Sequence, residues 1–274
     1  MQAILPYLAS ALLYAAMAVY FWRLHWSSAA PETTSLRSLA ERAAVLVTLT
    51  VHVTVLFSVM FAGNTLRIGV GDAISAILGL TVLIYWLGSL FYRLEGLQAL
   101  IMPAAAIAAF LPALLPEAKP LPNTELLAFK LHILMSMAAY SLFTIASLHV
   151  LLMAMLERRL HMGSLPTGLH RLPPLLTMET LLFRIIWAGF AMLTLTLISG
   201  VFFSEEVFGK AARINHKTIF GFVSWIVFAA LLLGRHFRGW RGRVAVRWTL
   251  AGFLLLVLAY LGSKFVLEVL LGRS

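Results

Sequence analysis

Residues 126–156 read LLAFKLHILMSMAAYSLFTIASLHVLLMAML, and Lys130 is the only charged side chain among them. A helix needs about 20 consecutive apolar residues to cross the hydrocarbon core of a bilayer, so this stretch crosses with turns to spare. Working outward, comparable runs lie near 3–22, 43–62, 71–92 and 97–115 before it, and near 181–203, 218–234 and 245–269 after it. The expectation is an all-α protein: a polytopic integral membrane helical bundle of about eight transmembrane helices, forming one domain over 1–274. The fourth run is the least regular, because Pro103 and Pro112 interrupt it and Pro116 closes it. Barrel strands would alternate in polarity over about 10 residues, and no run here does so. The first run lacks a basic start and a small-residue cleavage pattern, so it reads as a first span rather than a removable signal.

Composition points the same way. Hydrophobic residues make up 61% of the chain and charged ones only 12%, with a mean hydropathy of +0.93. Ordinary soluble domains carry roughly a quarter charged residues, so lipid is the solvent this surface suits. The formal charge of +10 sits in the gaps between apolar runs. That is the bias of cytoplasmic loops, so no nucleic-acid partner is expected. The chain has no cysteine, which excludes disulfides, thiolate-bound zinc, iron–sulfur clusters and a C-x-x-C-H haem attachment within it. No H-E-x-x-H, G-x-S-x-G or P-loop pattern occurs, so a self-contained enzyme is not indicated.

Basic residues also set an expected orientation. Arg23, Arg37, Arg42, Arg93, Arg158, Arg159, Arg235, Arg238, Arg241, Arg243 and Arg247 fall on one side, which becomes the cytoplasmic one. Both termini then lie outside, in a multi-pass protein of a bacterial-type inner (plasma) membrane. The basic patch 236–243, with Trp240, reads as an interfacial anchor. Between the fifth and sixth spans, Thr177 follows Pro173-Pro174 and is placed to cap the sixth helix.

Histidines are the polar residues that reach membrane depth. His52 lies about 15 Å from Arg42 along a helix, near the bilayer centre. It reads either as an imidazole bonded to a neighbouring hydroxyl or as an axial ligand or proton relay. His132 opens the fifth span, and steps of four place Ser136, Tyr140 and Thr144 on its face. His216 opens the seventh span at the same depth, so the two imidazoles could clamp an iron porphyrin from opposite faces. His149 lies at a depth comparable with that of His52.

From the fifth span onward the chain resembles the cytochrome c assembly protein family, the haem-handling membrane proteins of the CcsA and CcmC type, and more narrowly its YpjD-like branch. The resemblance rests on residues 130–143 (KLHILMSMAAYSLF), 172–179 (LPPLLTME), Gly189-Phe190 with 193–196 (LTLT), Lys217-Thr218 leading to 224–229 (SWIVFA), 239–243 (GWRGR) and 259–263 (AYLGS). It implies haem binding at the outer side. By position His132 corresponds to the family's external histidine and His52 to its intramembrane one; the family's second external histidine has no counterpart between Leu261 and Ser274, and His216, outside the family's pattern, is our own candidate to replace it. The family has a tryptophan-rich segment where 200–217 carries Phe202, Phe203 and Phe208 and no tryptophan, and a histidine where Leu233 stands. Phe202, Phe203, Phe208 and Trp225 are the aromatics expected to pack on a porphyrin. The implied cofactor is haem and the partners are the lipid bilayer, haem and another membrane protein. The alternative is a scaffold or regulatory subunit that kept the fold and lost the ligands. A transporter using His52 or His149 in a proton path stands third.

Overall fold

The computed structural model describes residues 4–26, 35–61, 66–115, 124–162, 172–202 and 216–266. Eight main helices follow one another: α1 (Ile4–Trp26), α2 (Ser35–Met60), α3 (Val70–Gly88), α4 (Gln98–Leu114), α5 (Leu127–His161), α6 (Leu175–Phe202), α7 (His216–Arg238) and α8 (Arg243–Val257). The last continues through a π-helical turn, Leu258–Gly262, into a short α-helical end, Ser263–Phe265. Among the described residues, seven helices are long and apolar enough to cross a membrane, the last of them counted as Arg243–Phe265. The chain is therefore a polytopic helical membrane bundle.

The remaining helix, α4, has 17 residues and holds Pro103 and Pro112 within it. At about 1.5 Å per residue it reaches about 25 Å, short of the ~30 Å hydrocarbon core. It is nonetheless deep in the protein: Ile101, Met102 and Ala105 are fully buried, where it packs against α1 and α3. Gly71 of α3 makes one approach possible, because a Cβ there would stand 3.0 Å from the Pro112 Cα. The small residue lets α3 lie on the proline-bent backbone.

α5 is the central helix. Buried positions make up 72% of its apolar window, more than in any other span, and it packs against α6, α3 and α8. At mid-depth Phe143 stacks on Phe228 of α7 with ring centroids 3.8 Å apart. Its four-step polar face turns inward, with Tyr140 and Thr144 buried. Ser136 and Thr144 return their hydroxyl hydrogens to carbonyls four residues back, whereas Tyr140 reaches across to the Leu256 carbonyl at 2.6 Å. Lipid-facing hydroxyls behave likewise: exposed Thr50 and Thr54 donate to the carbonyls of Leu46 and Thr50, since hydrocarbon offers no other acceptor.

Two helices begin earlier than hydropathy predicts. α2 starts at Ser35 rather than near 43, and α6 at Leu175 rather than near 181. Both added turns carry charge that ion pairs accommodate. Arg37 meets Glu41 one turn on at 3.1 Å, and Arg235 of α7 meets Glu179 of α6 at 2.5 Å. Thr177 does not cap α6. It lies inside the first turn, its N–H bonded to the Pro174 carbonyl at 2.9 Å, because Pro173-Pro174 already fixes the helix start. These contacts gather at one end of the bundle, where Arg42 also reaches the Ser89 carbonyl at 3.2 Å. This is the arginine-rich end; His132 and His216 lie at the other.

Candidate functional site

Three helices enclose His52, which is 2% exposed. Its Nδ1 lies 3.2 Å from the Tyr14 hydroxyl of α1 and its Nε2 2.8 Å from the Ser75 hydroxyl of α3. The Tyr14 ring meets the imidazole edge-on, with centroids 5.4 Å apart, and Gly79 leaves space for it, since a Cβ there would stand 3.3 Å from Cε1. A neutral imidazole has one N–H and one lone pair, and the two hydroxyls take both. The ring is a polar pin across α1, α2 and α3.

His132 is half-buried on the first turns of α5. Its Nδ1 lies 2.9 Å from the Ser199 hydroxyl of α6, and Ser199 donates to the Thr196 carbonyl at 3.0 Å. With the only serine hydrogen on that carbonyl, Ser199 accepts from His132, so Nδ1 carries the proton and Nε2 the lone pair. A metal-ligating histidine is oriented in this way by an outer partner on its other nitrogen. Gly200 flanks the ring, a Cβ there standing 3.4 Å from Cε1.

The remaining candidates are dispersed. His216 is exposed at the first residue of α7. His149 donates from Nε2 to the Met178 carbonyl at 2.9 Å, and its Nδ1 is buried with no hydrogen-bond partner among the described residues. It faces α6, away from the α1–α3 pin that holds His52. Phe202 ends α6 and is 77% exposed, one turn beyond Ser199. Trp225 stacks on Phe190 at 5.3 Å and donates from Nε1 to the Thr194 hydroxyl at 2.9 Å. It thus packs between α7 and α6, about 13 Å into its helix. Phe203 and Phe208 lie outside the described residues. No group of three or more His, Asp or Glu side chains placed to hold a metal ion occurs among the described residues.

Two cations share the end where His132 lies. Lys217 and Lys264 each place Nζ 5.6 Å from the centre of the Tyr260 ring, and Lys264 donates to the Ile68 carbonyl. Ser199, Tyr14 and Ser75 were missed as partners in the sequence. A hydroxyl 67, 38 or 23 residues from its histidine leaves no periodic trace.

The sequence profile of the family described as cytochrome C assembly protein matches residues 42–271. The inner membrane protein YpjD of Escherichia coli strain K12 is 35% identical over 139 residues, 51% of this chain and 52% of its own. An uncharacterized 28.8 kDa protein of Azospirillum brasilense is 39% identical over 143 residues, 52% of each chain. The cytochrome c biogenesis protein CcsA of Prochlorococcus marinus strain MIT 9515 is 37% identical over 89 residues, 32% of this chain and 28% of its own. The chain thus spans about half the length of the first two curated relatives and less of the third. No solved structure matches it.

Proposed function

This chain belongs to the cytochrome c assembly protein family, and on that premise we propose that it binds or hands on haem at the end of the bundle where α5 begins, with His132 as iron ligand. The observation that carries the reading is the His132–Ser199–Thr196 chain, which puts the proton on Nδ1 and the lone pair on Nε2. Neutral imidazole is the usual protein ligand to haem iron. Exposed His216 supplies a second imidazole at that end, and exposed Phe202 an aromatic surface for the porphyrin. The ammonium groups of Lys217 and Lys264 give that end positive charge, which suits carboxylate side groups. Haem, when bound, would supply the iron, and His132 would hold it through a ring nitrogen. His52, with both nitrogens engaged, serves the fold in this reading, and Trp225 serves the contact between α6 and α7.

In the same reading the arginine-rich end is cytoplasmic, as the loop-charge bias favours. The haem end and both termini then face outward from a bacterial inner membrane. The test is an absorption spectrum of full-length protein purified from haem-replete cells. A Soret band is expected, weakened or shifted in His132→Ala. Protein that takes up no haem on reconstitution sinks the proposal.

A second reading draws on the absence of tryptophan between 200 and 217: a scaffold or regulatory subunit for another membrane protein. It predicts that His132→Ala and His52→Ala both preserve function, while changes within 157–180 break a partner contact.

A further inference from the structure

At the arginine-rich end, opposite His132, the last turns of α5 and the first turns of α8 line a half-open cavity of about 490 Å³. That lies within the roughly 300–1,000 Å³ range of small-molecule sites. Arg158, Arg243, Arg247 and His161 line it, with Glu157 as the one acid. Arg243 and Arg247 stand one turn apart, so one face of α8 presents both guanidinium groups. Arg243 is only loosely held by Glu157: the pair spans 4.0 Å and the arginine side chain is 81% exposed. Arg158 and Arg247 make no side-chain hydrogen bond or ion pair among the described residues. Arg158, Arg243 and Arg247, all exposed, thus line one hollow, with Glu157 the one carboxylate among its described lining residues. Their mutual repulsion, reduced by solvent screening, favours an anion lying among them. Loop-charge bias accounts for arginines at this end but not for three of them lining one cavity.

The surroundings name the anion's source. Ala154 and Val246 give the cavity an apolar wall, and Trp240 and Trp248 pack together nearby at 5.1 Å. Tryptophan pairs of this kind mark headgroup level in a bilayer. Arginine is the side chain best matched to phosphate oxygens, which it binds through two parallel hydrogen bonds. We propose that this cavity binds the phosphate of an anionic phospholipid headgroup, with Arg158 and Arg247 as the principal contacts and Arg243 leaving Glu157 to join them.

The test uses the full chain in nanodiscs of phosphatidylcholine doped with phosphatidylglycerol, and counts the phosphatidylglycerol retained after transfer to detergent. Retention above the bulk ratio is expected. The double variant Arg158→Gln/Arg247→Gln should weaken it about 30-fold, at about fivefold per arginine. Arg23→Gln/Arg93→Gln, at the same end but outside both the cavity and the 236–243 patch, should leave it within twofold. Helical circular dichroism of both variants controls for folding. An equal loss in the two variants means general attraction to an anionic surface and overturns the proposal, as does no enrichment at all. A third arm adds inorganic phosphate at millimolar concentration. Phosphate that displaces the lipid only when in large excess fits a headgroup site, whereas phosphate that binds tightly with no lipid enrichment makes a soluble phosphate the ligand and overturns the lipid assignment.

Discussion

His52 and His132 are the same side chain in two parts of one bundle, and their surroundings give them different chemistry. Tyr14 and Ser75 close both nitrogens of His52 between three helices. Ser199 closes one nitrogen of His132, and its own bond to Thr196 decides which nitrogen keeps the proton. The difference lies in depth: His52 is 2% exposed between three helices, whereas His132 is half-buried at one end of the bundle. In hydrocarbon a polar group without a partner is costly, so a ring with two partners is worth most to the fold. A half-buried ring oriented by a serine, at one end of the bundle, is the one the proposed role calls on.

Substitutions can break this contrast. His52→Ala should have the largest effect on stability. It empties a buried site and strands two hydroxyls, at a cost of about 3 kcal/mol, read as a lower thermal midpoint in detergent with any Soret band unchanged in shape. A lost Soret band in a well-folded His52→Ala protein would move the ligand assignment to the α1–α3 pin. Ser199→Ala should show the opposite pattern. Without its outer partner, His132 should hold haem about 10–100-fold less tightly, while the melting transition shifts by less than the equivalent of about 1 kcal/mol. Equal haem retention in Ser199→Ala would remove the orientation argument. The smallest effect belongs to Gly79→Ala, whose new methyl presses His52 from 3.3 Å. A loss of about 0.5–1 kcal/mol is expected, again by thermal midpoint and again without change in haem content.

Most of the helices could be read from the sequence, because a bilayer imposes runs of a fixed length and the chain has little charge to interrupt them. What could not be read was where charge is tolerated. Arg37 and Glu41 look like the outside of a span until their pairing one turn apart is seen, and Glu179 looks like a loop residue until Arg235 arrives from α7. The depths of His52 and His132 could be counted from helical rise. Their roles could not, since they depend on Tyr14, Ser75 and Ser199, which belong to other helices. Trp225 shows the same limit: its position suggests a porphyrin platform, yet Phe190 and Thr194 hold it within the bundle.

The π-helical turn at Leu258–Gly262 has a directional effect. One residue beyond regular winding swings everything after it by roughly 100° about the axis, since 3.6 residues complete a turn. The ammonium of Lys264 thereby points at the Ile68 carbonyl instead of a third of the way around the helix. Removing a single residue from that turn would re-aim the lysine without altering its chemistry, so the charge at this corner of the protein is set by the length of the chain as much as by its composition.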